Sequence, residues 1–135
     1  MKSELMVQQQ VESIWQHMVG VICLNLTDRV QVKRVLPKLF KKYPTPIKFI
    51  RGNSNTQKKM LESLGMVNVR HKRLKQMSID YLTWDHKDAS DLYGIGKYGS
   101  DSYRIFFKNE IPKNVTDKVL KKYITKYEKT KPNST

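Results

Sequence analysis

Apolar positions recur at intervals of three and four along nearly the whole chain, the spacing of helices with one buried face. Val7, Val11, Ile14, Trp15, Met18, Val21 and Ile22 share such a face and predict a helix from about Ser3 to Asn25. Thr27 is suited to cap the next helix. There Val32, Val35, Leu36, Leu39, Phe40 and Tyr43 form one stripe, and the rest of "RVQVKRVLPKLFKK" carries a positive face. Pro37 inside that stripe predicts a kink or an interruption. Thr45 and Pro46 read as a cap and first helical residue, opening a short helix through Phe49 and Ile50. Ser54 with Gln57 fits a capping box ahead of Met60, Leu61 and Leu64, and Gly65 fits a C-terminal stop. A helix from Val69 to Thr83 follows, with Arg70, Leu74, Met77 and Tyr81 on one face. Further helices are expected from about Asp88, from Tyr98 to Lys108, and from about Thr116 to Tyr127. Neither strand alternation nor an internal repeat is evident. The pattern predicts one compact all-α domain over residues 1–135, of roughly seven to nine short helices, with a frayed tail at about 128–135.

Charge narrows the partners. Across 135 residues, 26 Lys and Arg face 12 Asp and Glu, a net charge of +14. Such an excess points to a polyanion, with nucleic acid ahead of an anionic membrane surface. No apolar run approaches the ~20 residues of a membrane span, and the first ten residues show no signal-peptide core. One cysteine, Cys23, excludes an internal disulfide framework and sits in the apolar run "MVGVICLNL" as a buried small hydrophobe. The expectation is an intracellular, monomeric protein, nuclear if eukaryotic and otherwise cytoplasmic. The three histidines, His17, His71 and His86, have no metal-ligand spacing, and no four-cysteine cluster is present. Neither a metal nor another cofactor is expected.

The stretch "LYGIGKYGSDSYRIF", Leu92 to Phe106, places Gly94-Ile95-Gly96 between two predicted helices within a hairpin of residues 88–108. Glycine lets the backbone turn tightly and approach a ligand closely. The free N–H groups at the start of the second helix suit a phosphate. A helix-hairpin-helix element grips a DNA backbone in this way without reading sequence. Leu92 and Ile95 would dock the hairpin on the core, and Lys97 and Gly99 would join Gly94, Ile95 and Gly96 at the backbone. The same glycines also suit a plain tight turn. "RHKRLK" puts four cations and a histidine in six residues, and 113–131 holds seven lysines against two acids. Arg70, Lys72, Arg73 and Lys118 are the expected basic footprint.

This hairpin sequence resembles the signature of the helix-hairpin-helix superfamily of DNA base-excision glycosylases. The likeness is greatest to the thymine glycosylase domain found with methyl-CpG-binding domains and to its mismatch-specific relatives. "WQHMVGVICLNLT", "LFKKYPTP", "LESLGMVNVRHKRL" and "VTDKVLKKY" match further segments in the same order, so the resemblance runs from Trp15 to Tyr127. It implies an enzyme that flips a mismatched thymine or uracil out of double-stranded DNA and cuts its N-glycosidic bond.

Loss of a pyrimidine leaves a sugar with oxocarbenium character, which a nearby carboxylate stabilises while orienting water. Asp117, the lone acid between Glu110 and Glu128, matches the family's catalytic aspartate. It equally suits ordinary charge complementarity at a helix start. Tyr98 stands where bifunctional relatives carry a Schiff-base lysine, and a phenol forms no imine. A monofunctional glycosylase that leaves an abasic site is therefore implied, although Tyr98 also fits a packed aromatic. Leu64, Gly65 and Met66 match the loop that wedges into the duplex, and fit a helix C-cap as well. Asn25, Leu26 and Thr27 match the region lining the lesion pocket and facing the opposite strand. Leu26 departs from the arginine of close family members, which puts recognition of the orphan guanine in doubt. The competing readings are a non-catalytic helix-hairpin-helix DNA-binding module and a basic RNA-associated domain.

Overall fold

In a computed structural model, the described residues are 11–112 together with 115, 117, 120–122 and 124. Their regular structure is all helical, with no strand among them. Six α-helices follow one another: α1 (Ile14–Leu24), α2 (Arg29–Lys42), α3 (Pro46–Arg51), α4 (Ser54–Met60), α5 (Val67–Tyr81) and α6 (Lys97–Phe107). Short 3₁₀ turns lie at Glu62–Leu64, before α5, and at Ala89–Asp91, before α6. Residues 120–122 and 124 are helical as well.

The centre of the fold is α1. Every residue from Trp15 to Cys23 is buried, and the helix packs against α2, α5 and α6. Trp15 donates from its indole Nε1 to Ser78 Oγ at 2.9 Å, which ties α1 to α5 inside the core. Opposite it, α5 also covers α3 and α4. Met18, Ile22, Leu39, Phe49, Leu61, Leu74, Met77, Leu92 and Tyr103 fill the space between, and burying each such side chain contributes about 1.5–3 kcal/mol. A second small cluster joins Ile105, Val115 and Leu120. Tyr98 packs against both clusters.

Helix boundaries depart from the sequence reading in instructive ways. The first helix begins at Ile14, not near Ser3; positions 1–10 lie outside the described residues. Ser13 Oγ accepts from Gln16 N at 3.1 Å, and Gln16 Oε1 accepts from Glu12 N at 3.0 Å. Ser13-x-x-Gln16 is thus a start signal that fixes the entry of the chain. Thr27 does not cap α2; Asp28 does, accepting from Val30 N. Asn53, not Ser54, caps α4, which leaves Gln57 buried and free to bond to Phe49 O and His71. Pro37 neither ends nor interrupts α2. It lies on the exposed side, where water serves backbone groups, while Leu36 and Leu39 hold the buried side. Thr45-Pro46 opens α3 as expected, with Thr45 Oγ1 accepting from Lys48 N.

Candidate functional site

A 3₁₀ turn at Ala89–Asp91, in place of the short helix expected from about Asp88, leads into the Gly94-Ile95-Gly96 turn and α6. Leu92 and Ile95 are buried in the main core, and Ile95 N donates to Leu92 O at 3.1 Å to close the turn. Gly94 takes φ +82°, the left-handed region that favours glycine. Asp80 Oδ2 accepts from Tyr93 N at 3.0 Å and braces the turn from α5. Gly96 caps α6 without a side chain to occupy the first free N–H groups, which leaves an electropositive helix end. A Cβ built on Gly96 would meet nothing within 4 Å. Its small size is therefore not demanded by the fold.

Gly99 differs. A Cβ there would come 2.6 Å from Ile95 Cγ2 and 2.9 Å from Val21 Cγ1. Gly99, expected at the DNA backbone, is buried, and its missing side chain is what lets α6 and the hairpin close on α1. Lys97 Nζ lies 3.0 Å from Asp101 Oδ2 on the same helix. Lys97 is half exposed while Asp101 is buried, so turning Lys97 to another anion would leave a buried carboxylate without this partner.

Beside the hairpin lies an open cavity of about 920 Å³. Its lining combines Asn25, Leu26 and Thr27, the hairpin residues Gly94 to Gly99, Arg29 and Arg73, and Asp117. Tyr98 and Asp117, nineteen positions apart in sequence, thus share one cavity. Asp117 is half-buried, and its Oδ2 accepts from Leu120 N at 2.9 Å. That bond serves one carboxylate oxygen; a carboxylate has about four acceptor sites in all. Asp117 is therefore a helix cap that also lines the cavity. Arg29 and Asp80 line the cavity without having been singled out from sequence. Arg29 was visible only as one member of a long positive face.

Two expectations change in the structure. Arg70, expected on the basic footprint, is 3% exposed. Its guanidinium donates to the carbonyls of Ile22, Cys23, Asn25, Leu64 and Gly65 at 3.0–3.2 Å, and to Thr27 Oγ1 at 2.6 Å. Its place on the apolar stripe with Leu74 and Met77 outweighed the charged run around it. Of the other footprint residues, Lys72 is exposed, Arg73 lies against Gly94, and Lys118 falls outside the described residues. In the expected wedge, Leu64 is buried in the core, and Gly65 turns the chain at φ +74°. Met66 alone is presented, half exposed at φ +47°. The wedge loop does not line the cavity.

Two buried groups stand apart from this site. Burial pushes the Cys23 thiol up to about 12, with Arg70 opposing, so it is an unreactive hydrophobe. Burial lowers His17 to about 3, so its ring stays neutral.

Fold and site together define an all-α domain whose glycine hairpin borders an open cavity lined by the cations Arg29, Arg73 and Lys97 and by the carboxylates Asp80, Asp91 and Asp117. No family model matches the chain. It is similar to the methyl-CpG-binding domain protein 4-like protein of Arabidopsis thaliana, with 30% identity over 94 residues. The match takes in 68% of this chain, which spans 21% of that relative's length. No helix among the described residues is long and apolar enough to cross a membrane.

Proposed function

We propose that the protein is a monofunctional DNA glycosylase acting on mismatched thymine or uracil, in G·T and G·U pairs. The observation that carries this reading is the single cavity lined by Asp117, Tyr98 and the Gly94-Ile95-Gly96 hairpin together. The hairpin holds a phosphate through its backbone and the uncapped start of α6. The flipped nucleotide enters the cavity, and the penalty for flipping is lowest where the base is mispaired. Asp117 stabilises the positive charge that develops on the sugar and orients the attacking water. Tyr98 lines the base pocket as a hydrogen-bond donor and cannot form a Schiff base. The similarity to a protein named for a methyl-CpG-binding domain supports DNA as the partner.

The hydrogen bond from Leu120 N to Asp117 favours one second reading, a DNA-binding module in which Asp117 is only a cap. Duplexes carrying G·T, G·U and normal pairs separate the two. Strand cleavage at the mismatch that appears only after alkali is the expected result. Cleavage without alkali contradicts the role of Tyr98, and tight binding without cleavage favours the module.

A further inference from the structure

Leu26 and Met66 share a positive backbone φ. They are two of the four non-glycine residues at positive φ among the described residues, at +53° and +47°. Such a backbone is strained for a side chain of this size. Both are apolar and turned to solvent, Leu26 at 81% and Met66 at 50% exposure. One leads out of α1 and the other into α5, so their positions in sequence give no reason for a fixed relation between them.

Arg70 supplies one. Its acceptors bracket both strained residues. Asn25 O and Thr27 Oγ1 lie on either side of Leu26, and Leu64 O and Gly65 O immediately precede Met66. Arg70 N also donates to Met66 O at 2.9 Å. No carboxylate pairs with Arg70 among the described residues. The buried charge is answered by backbone carbonyls and the Thr27 hydroxyl, including the carbonyl end of α1, where a cation is favoured. A leucine or methionine would fill this face of α5 at lower desolvation cost. A planar fork with five donors, unlike an ammonium, holds two loops in one geometry.

Resting on the DNA reading above, we propose that Arg70 is a positioning residue that fixes Leu26 and Met66 as a paired apolar wedge for one duplex. The two prongs enter together, so stacking lost at the opened step is offset by both side chains at once. Contact with the opposite strand at Leu26 is then by shape and not by hydrogen bonding, which predicts weak dependence on the orphan base.

Two measurements test this. In the free protein, Arg70→Lys is compared with wild type by hydrogen exchange, with helical circular dichroism as the check on folding. Exchange is expected to rise about tenfold in segments 24–27 and 64–67 together, while 103–107 is unchanged. A rise in one segment alone, or in neither, overturns the proposal. The second measurement leaves Arg70 intact and uses a duplex carrying an abasic-site analogue. Leu26→Ala and Met66→Ala are each expected to weaken binding about fivefold, and the double variant by less than about tenfold. Losses that multiply to about 25-fold would mean independent prongs and overturn it. Absence of duplex binding by the wild type sinks the DNA reading instead, and the exchange result still decides what Arg70 does.

Discussion

His17 shows how a single buried group sets the response of the molecule to pH. Its Nε2 is 2.9 Å from Ser102 Oγ, Nδ1 has no partner among the described residues, and the ring meets Phe107 edge-on at 4.9 Å. Burial lowers its pKa from 6.5 to about 3, so the unfolded chain takes up a proton that the folded one refuses. Stability from this source is fully present above the unfolded value of 6.5 and is lost as pH falls toward about 3. His71, also lowered by burial, acts in the same direction. Urea denaturation is expected to give about 2 kcal/mol less stability at pH 5 than at pH 7 from His17, and His17→Gln is expected to remove most of that difference. An unchanged difference in the variant would place the proton elsewhere. At this scale the sequence was most informative where chemistry is local. Cys23 was read correctly as a buried hydrophobe from its apolar run. Arg70 was misjudged because charge in a run looks like surface. Only the fold shows five carbonyls converging on one guanidinium.

Helices and turns were legible where their signals are local. The apolar stripes of α1, α2 and α5, the Thr45-Pro46 start and the Gly65 stop all appear near their expected places. Boundaries were lost where two signals compete within a few residues. Ser13-x-x-Gln16 and Ser54-x-x-Gln57 are the same pattern. The first is a start signal because Gln16 can reach back to Glu12 N. The second is not, because Gln57 is pulled into the core by Phe49 O and His71. The hairpin glycines, alike in sequence, separate into different roles in space. Gly99→Ala forces a methyl against Ile95 and Val21 and is expected to cost about 1–3 kcal/mol, seen as a fall in melting temperature. Gly96→Ala faces open space and is expected to cost under about 1 kcal/mol. It should nevertheless weaken duplex binding, because the methyl stands where a phosphate would approach. Equal loss of stability in the two variants would contradict this division of roles.

Across the whole molecule, charge is distributed unevenly. Between Arg29 and Ile79 there are fourteen Lys and Arg and a single acid, Glu62. The two ion pairs seen among the described residues, Lys97 with Asp101 and Arg104 with Glu110, both lie beyond that segment. A surface of this kind attracts a polyanion at long range, and salt weakens the attraction. Duplex affinity is expected to fall linearly on a logarithmic salt scale, with a slope of about −3 or steeper if Lys72, Arg73 and Lys97 each meet a phosphate. A slope near zero would exclude backbone binding as the main source of affinity. What the sequence could not supply is the meeting of distant segments. Residues 25–27, 94–99 and 117 line one cavity only because α1, the hairpin and the segment after α6 converge there.

The central claim is that Asp117 performs chemistry in that cavity, and Asp117→Asn tests it most directly. Asparagine retains an oxygen to accept from Leu120 N, so the helix start is kept, while the negative charge is removed. The measurement is single-turnover release of thymine from a G·T duplex, paired with affinity for the same duplex. The account predicts a fall in release of about 10²–10⁴-fold with affinity changed by less than about threefold. Release at the wild-type rate by the variant, or none from the wild type, would contradict it.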